Sequence, residues 1–344
     1  MKEKSNQKAS QNSLNKIKKQ LPNHLEIIDV SKWSHEKWLS YRLIEGVGAS
    51  EVGTLLGLNP YMCTGELYYQ KLGLINQKID DNPSMLWGKV HESSVAEMSK
   101  YWDFNEEDGN YLMNHEQKNI QREIYEAKVY CKNPEIEYLF GGPDRFIQLE
   151  NKLGILEIKT IRSIASDQWE NGIPPSYIAQ VLSYMKLFDT DYGEIASLKD
   201  GWDFEIIQVP WSEKFIKKIQ DQILFFWENV LIGRNILESN GTLEQIHEID
   251  ALFYEETSAY EEFQKIKFSK TEENSILSND NIDEVLIDFL DIKSKLRELD
   301  KAQTSCEIKI KEHMKHMEYL DSTIANVSWK KMKNGNRRFL CKPK

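Results

Sequence analysis

The chain has few cysteines, no basic excess and no long apolar run. Its four cysteines, Cys63, Cys131, Cys306 and Cys341, stand singly among 344 residues. Without a paired ligand spacing they exclude an iron–sulfur or structural zinc site and fit a reducing cytoplasm. No stretch approaches the ~20 apolar residues that span a bilayer, and the N-terminus lacks a signal-peptide core, so the expectation is a soluble protein with no membrane partner. A formal net charge of -11 argues against a uniformly basic nucleic-acid binder. Net charge averages over the surface, however, and DNA needs only a local basic track. What is present is a hydrophobic content of 40% and an aromatic content of 11%, enough for a real core. The length exceeds one typical domain and predicts an α/β core with an appendage.

Residues 1–23 carry Lys2, Lys4, Lys8, Lys16, Lys18 and Lys19 among Asn, Gln and Ser. So little apolar surface cannot offset the entropy of ordering, and a disordered basic tail is expected.

The chemistry concentrates in residues 141–159. Two strand-forming runs, Arg145 to Leu149 and Ile155 to Ile158, flank the turn-prone Glu150-Asn151-Lys152-Leu153-Gly154, which predicts a β-hairpin. Asp144 opens the first strand. Alternation puts Glu157 and Lys159 on one face of the second strand, with Leu156 and Ile158 on the other. Asp144, Glu157 and the Ile158 carbonyl offer a partial oxygen shell of the kind Mg²⁺ accepts, with waters and a substrate phosphate completing it. Lys159 would then orient or deprotonate the attacking water, or stabilise the charge on phosphorus. A Glu-x-Lys pair is also a common surface feature. The apolar setting of the strand, where unused charges are costly, favours a site.

Other segments add candidates, each with an ordinary alternative. Ser34 to Leu43 reads as a helix, followed by a tight turn at Gly46-Val47-Gly48-Ala49-Ser50-Glu51 with Ser50 as the N-cap of a new helix. A helix N-terminus with Arg42 upstream is a phosphate seat, or simply a capped helix and a surface arginine. Ser84 to Trp102 predicts a helix with Trp87, Val90, Val95, Met98, Tyr101 and Trp102 facing the core. Glu92 lies off that stripe, pointing to a site or to solvent. Ser176 to Phe188 predicts a helix in which Gln180 and Tyr184 share a face. They serve either a site or a helix flank. Strands are expected near 195–198 and 204–209, and a long helix from Glu213.

Arg42, Gly48-Ala49-Ser50-Glu51-Val52, Trp87-Gly88-Lys89 with Glu92, Pro143-Asp144, Leu156-Glu157-Ile158-Lys159 and Ala179-Gln180-Val181 with Tyr184 occur in one order. That series resembles the lambda exonuclease and YqaJ-type viral recombinase family of the PD-(D/E)xK nuclease superfamily, over residues 36 to 232. The resemblance implies a nuclease core with a central mixed β-sheet flanked by helices, in a domain spanning 24–234. It implies that Asp144, Glu157, Ile158 and Glu92 hold Mg²⁺, with Mn²⁺ the alternative ion. Lys159 would be the catalytic lysine, with Gln180 and Tyr184 in support, and Arg42 and Ser50 would hold the 5′-terminal phosphate of DNA. The implied activity is ATP-independent 5′→3′ digestion of linear double-stranded DNA to 3′ overhangs, for recombination with a single-strand annealing protein. A ring-shaped homotrimer and a phage or prophage origin in a bacterial cytoplasm belong to the same resemblance. An endonuclease on the same fold and an inactive DNA-binding or assembly protein are the alternatives. Arg145 stands where the family often has glycine, and Gly142 where lambda exonuclease has serine.

Residues 235–344 lie outside that resemblance. From Val285 through Phe289, Ile292, Leu296, Leu299, Gln303, Cys306 and Ile310 the steps alternate four and three, a coiled-coil seam that predicts a partner in the 250–268 helix or another subunit. Asn334-Gly335 predicts a terminal hairpin carrying Lys330, Lys331, Arg337 and Arg338, with Trp329 and Phe339 interleaved. This is a DNA-contacting flap or a solvated hairpin.

Overall fold

The largely buried segment Leu153–Ile161 is the central strand of a five-stranded sheet. The structure is a computed structural model that describes residues 13–76, 83–105, 110–113, 122–150, 152–162, 169, 172–269, 273 and 275–344. The chain forms two units, Met1–Ser269 and Lys270–Lys344.

In the first unit, residues 13–20 form helix α1. Strand β1 (Glu26–Asp29), helix α2 (His35–Ile44), the short strand β2 (Val47–Gly48) and helices α3 (Val52–Leu55), α4 (Thr64–Lys71) and α5 (Pro83–Ser99) follow. Next come β3 (Trp102–Asn105), β4 (Asn110–Met113), β5 (Ile124–Tyr125), β6 (Val129–Lys132), β7 (Leu139–Phe140), β8 (Arg145–Gln148) and β9 (Leu153–Ile161). Helix α6 (Pro175–Leu187) leads to β10 (Gly193–Lys199) and β11 (Asp203–Val209), and α7 (Glu213–Glu238), α8 (Leu243–Asp250) and α9 (Ser258–Lys267) close the unit.

The sheet order is β11-β10-β9-β8-β5. β8 and β9 pair antiparallel, with Arg145 opposite Leu156, as the hairpin predicted. β9 and β10 are parallel, and a parallel pair needs a crossover, which α6 supplies. Alternation along β9 divides the core. Leu153 and Ile155 join the main core with Val181, Leu182 and Met185 of α6. Leu156 and Ile158 face the other way, into a cluster with Val95 and Ala96 of α5 and Ala196 and Ile206 of the sheet. Helix α6 lies so close to β10 that a Cβ at Gly193 would sit 2.6 Å from Val181 Cγ1. Both faces of β9 are therefore covered, as the apolar run required.

Three expectations are corrected. The basic tail does not extend to residue 23: within α1 and just after it, Leu14, Ile17 and Leu21 are buried in the main core. Three apolar side chains on one face suffice to dock a helix whose other face is lysine-rich. The first unit does not end at 234. Helix α7 continues to Glu238, and Ile246, Phe253, Tyr260 and Phe263 belong to the same core. The buried side of α5 is Val95, Ala96 and Ser99, whereas Trp87, Val90 and Met98 are exposed. Apolar residues occur on more than one side of α5, so the predicted stripe is right at Val95 and wrong at Trp87, Val90 and Met98, and Trp102, which packs against the Val95 cluster, begins β3 instead of ending the helix.

The second unit contains α10 (Asp280–Met314), N-capped by Asn279, and a small antiparallel sheet of β12 (Tyr319–Leu320), β13 (Ala325–Lys331) and β14 (Arg337–Pro343). The β13–β14 hairpin turns at Asn334-Gly335 as expected, with Trp329 opposite Phe339 and Lys330 opposite Arg338. The third strand, β12, has only two residues and no pattern that sequence periodicity detects. Helix α9 spends its apolar face within the first unit, where Phe263 meets Tyr69 edge-on at 5.0 Å.

Ile17→Ala tests the revised N-terminus. Its side chain is fully buried, so truncation should cost about 2–5 kcal/mol in denaturant unfolding. A disordered tail would lose nothing.

Candidate active site

The parallel β9–α6–β10 crossover positions the first group of side chains. Glu157 and Lys159 project from β9 toward α6, on the same side as Ile155. There Gln180 Nε2 donates to Glu157 Oε1 at 2.8 Å, and Lys159 Nζ donates to the same oxygen at 2.6 Å. Lys159 also reaches Gln180 Oε1 at 3.3 Å, and Gln180 Nε2 lies 3.1 Å from the Tyr184 hydroxyl. The ammonium sits 4.6 Å from the centre of the Tyr177 ring. Tyr177, Gln180 and Tyr184 follow helical spacing on one face of α6. Sequence reasoning found the last two and missed Tyr177, although the same spacing signals it.

Asp144 enters from the start of β8. Its Oδ2 accepts the Ile158 backbone N–H at 2.8 Å, which ties the mouth of β8 to the second strand beyond their paired residues. Burial and the neighbouring Glu157 carboxylate push the Asp144 carboxyl up to about 8, against the opposing effects of Lys159 and the Ile158 N–H. Burial alone would lower the Lys159 ammonium, but Glu157 and Asp144 outweigh it and hold its pKa above the ordinary value. Burial and Glu157 push the Tyr184 phenol far up. It stays neutral.

The residues present fit a divalent cation. Glu157 Oε2 is buried and has no hydrogen-bond partner, a costly condition for a carboxylate oxygen that a cation would relieve. Asp144 is an acid whose charged form is disfavoured by a second acid. Hard oxygen donors are the ligands Mg²⁺ and Mn²⁺ take, and one or two protein carboxylates suffice for Mg²⁺. Among the described residues, no group of three or more His, Cys, Asp or Glu side chains converges on one point. Glu92 is turned aside. Its Oε1 accepts from Arg145 Nη1 at 2.6 Å, and the same nitrogen donates to the Asp144 carbonyl at 2.6 Å. Arg145 projects from β8 to the α5 side of the sheet and clamps Glu92 beside the site.

The Pro-Asp turn explains the second departure. A Cβ at Gly142 would lie 1.8 Å from the Val129 carbonyl oxygen, so no side chain fits there. A cleft of about 300 Å³ opens along this turn, lined by Trp38, Tyr130, Lys128, Glu92, Asp144 and Arg145 among others.

Arg42 and Ser50 lie in a second group. Ser50 is exposed within a single 3-10 turn, Ala49–Glu51, whose N-cap is Gly48. The predicted N-cap is therefore two residues too late, because Glu51 reaches back and its Oε2 accepts the Gly48 N–H at 2.8 Å. Arg42 Nη2 pairs with Glu51 Oε1 at 2.6 Å, and the buried Lys71 Nζ pairs with Glu51 Oε2 at 2.7 Å. Against burial, these two cations hold the Glu51 carboxyl down to about 2. Its contribution to stability is complete above its ordinary value and is lost as pH falls toward about 2. The Arg42 guanidinium also lies 4.8 Å over the Trp38 ring. Lys71 was not singled out in the sequence: buried lysines have no signature there.

With this geometry in place, comparison with known proteins identifies the domain. Residues 37–192 match the YqaJ-like viral recombinase domain model. Over that segment the chain is similar to the YqaJ-like viral recombinase domain family. Every candidate residue from Arg42 to Tyr184 falls inside the matched segment. The chain is 27% identical over 293 residues to an uncharacterized protein YqaJ of Bacillus subtilis (strain 168), covering 84% of this chain and 81% of that one. An alkaline exonuclease from Laribacter hongkongensis (LHK-Exo) superposes with a TM-score of 0.44 at 18% identity, over 60% of this chain and 97% of that structure. A phage related exonuclease from Haemophilus somnus 129PT superposes with a TM-score of 0.36 at 15% identity, over 57% and 96%. No helix among the described residues of the chain is long and apolar enough to cross a membrane.

The YqaJ-like domain yields a pH test. Folded Asp144 keeps its proton to about pH 8 while the unfolded carboxyl loses it near 4, so folding without divalent ions takes up a proton in that window and stability falls as pH rises through it. The gain in melting temperature from Asp144→Asn should grow from about pH 5 to about pH 8 and then level off. A pH-independent difference would contradict the shifted carboxyl.

Proposed function

We propose that the YqaJ-like domain is an Mg²⁺-dependent DNA exonuclease that degrades the 5′-ended strand of linear duplex DNA, leaving 3′ overhangs for a single-strand annealing protein. The observation that carries this reading is the buried Asp144 and Glu157 pair, with one unsatisfied carboxylate oxygen, beside the charged Lys159. Asp144 and Glu157, with the Ile158 carbonyl, would hold the ion, and Glu92 joins them only if Arg145 releases it. When bound, the ion supplies Lewis acidity toward a phosphodiester.

The chain's own residues supply position and charge. Gln180 fixes one Glu157 oxygen and leaves the other free. Lys159, protonated at neutral pH and flanked by the Tyr177 ring, acts as a donor that orients the attacking water and steadies the developing negative charge, not as a base. Arg42, with Ser50 exposed nearby, is the proposed anchor for a terminal phosphate. For a phosphate to bind there, Arg42 would share its charge between the anion and Glu51. In the second unit, Lys330 and Arg338 are exposed and directly opposite on neighbouring strands, a like-charge pair that a polyanion would stabilise. Arg337 is committed to the fold: it lies 3.6 Å over the Trp329 ring and donates to the carbonyls of Trp329, Lys315 and Met317. The proposed DNA contacts are thus Lys330, Lys331 and Arg338. The annealing protein and a ring-shaped homotrimer enter this reading through the family resemblance alone.

The deciding assay uses a linear duplex labelled at each 5′ end and internally, beside a closed circle, with Mg²⁺ and without ATP. Release of 5′ label with the circle intact is expected. Cutting of the circle would mean an endonuclease, and no cutting with Mg²⁺ or Mn²⁺ a binding protein. Glu157→Gln should lower turnover by at least about a thousandfold, roughly 4 kcal/mol of barrier, with DNA affinity nearly unchanged. Arg42→Ala should erase preference for 5′-phosphorylated over 5′-hydroxyl ends. Equal loss on both ends would sink the anchor.

A further inference from the structure

Helix α10 presents an apolar stripe that its own unit leaves uncovered. Every residue from Asn281 to Cys306 is exposed, including Ile282, Val285, Phe289, Ile292, Leu296 and Leu299. The small sheet of the unit meets the far end of the helix, where Lys311 lies 5.7 Å from the Trp329 ring and 5.3 Å from the Phe339 ring. The stripe advances by alternating steps of three and four, so Ile282, Phe289, Leu296, Gln303 and Ile310 occupy one seam position (a). Val285, Ile292, Leu299 and Cys306 occupy the other (d). The a and d positions keep a 3.5-residue repeat over this length, the spacing that serves a supercoiled partner helix, although Leu286, Ile287 and Leu290 add exposed apolar surface beside the seam.

We propose that the occupant of this face is α10 of a second copy of the chain, in a parallel, in-register, two-stranded coiled coil about 50 Å long. Two features select that arrangement. The first is charge. In a parallel pair each g position faces the e position five residues on in the other strand, and this places Asp288 opposite Lys293 and Lys295 opposite Asp300, with no like-charge pair. In the single chain Lys293 instead lies 5.8 Å over the Phe289 ring and Lys295 turns to Asp291 at 2.6 Å. The second is the polar layer. In register, Gln303 meets Gln303 and Cys306 meets Cys306, so each polar group faces its own kind. An antiparallel pair would set them against Ile292 and Phe289, where a buried amide lacks a partner. A polar residue at one a position, here Gln303, that fixes register at some cost in stability is a known device of such seams. The proposal is independent of the nuclease reading; three copies cannot all pair two by two, so beside a ring-shaped homotrimer the second copy would come from another ring.

Cys306 makes the register measurable, because it is exposed and unpaired in the single chain. The full-length Cys341→Ser protein, treated with diamide at low concentration, should give a covalent dimer through Cys306. The diamide takes up the two thiol hydrogens and their electrons. Leu296→Asp/Leu299→Asp in that background should abolish the cross-link, although both thiols remain. Asp288→Lys should raise the protein concentration for half-maximal cross-linking roughly tenfold, and adding Lys293→Asp should restore it. Those two positions face one another only between strands in parallel register. Absence of a Cys306 cross-link, a cross-link that survives the Leu296→Asp/Leu299→Asp change, or failure of the charge swap to rescue overturns the proposal.

Discussion

Asp144 and Glu157 share one buried neighbourhood with one ammonium, Lys159, and the packing on both sides of β9 maintains that imbalance. Two acids so close cannot both ionise freely in a low-dielectric setting. The fold pays the difference by keeping Asp144 protonated to about pH 8 and by leaving Glu157 Oε2 without a donor. Such a site is unfavourable for stability and suited to a divalent cation. Gln180 and Tyr177 restrain Lys159 and Glu157 from the α6 layer, while Arg145 holds Glu92 from the α5 layer. The centre is thus assembled from elements that only the β9–α6–β10 crossover and the β8–β9 hairpin bring together.

The Arg42, Glu51 and Lys71 group is the opposite case. Its one acid is matched by two cations and the Gly48 N–H, so it is satisfied internally. Breaking such a buried network by removing one partner is costly, since the remaining charge is left unpaired. The group orders the turn that carries Ser50 before any ligand arrives. A phosphate there would enter a preformed positive corner, with the surplus of one cation over the Glu51 carboxylate as its attraction.

The second unit repeats the theme of unfinished surfaces at lower charge density. Its sheet is sealed by the Arg337 guanidinium stacked on Trp329 and bonded to three carbonyls, while the neighbouring Lys330 and Arg338 remain exposed. Its helix carries a continuous apolar seam in water. Exposed apolar surface of that extent and regularity is uncommon on a soluble chain without a partner.

The sequence by itself determined what depends on local pattern. Alternation placed Glu157 and Lys159 on one strand face, Pro174-Pro175 started α6, Asn334-Gly335 set the terminal hairpin, and the order of the motifs matched a family now supported over residues 37–192. Only the tertiary structure decided what depends on contacts between distant segments. Leu14 and Ile17 are core residues because a core is there to receive them, which a lysine-rich segment does not reveal. Arg145 claims Glu92 across a long span of chain, while Glu51 claims Arg42 and the Val129 carbonyl fixes Gly142 across turns whose closure no periodicity shows. The α5 stripe was misread for the same reason: helical periodicity offers several apolar faces, and the sheet selects which one is buried.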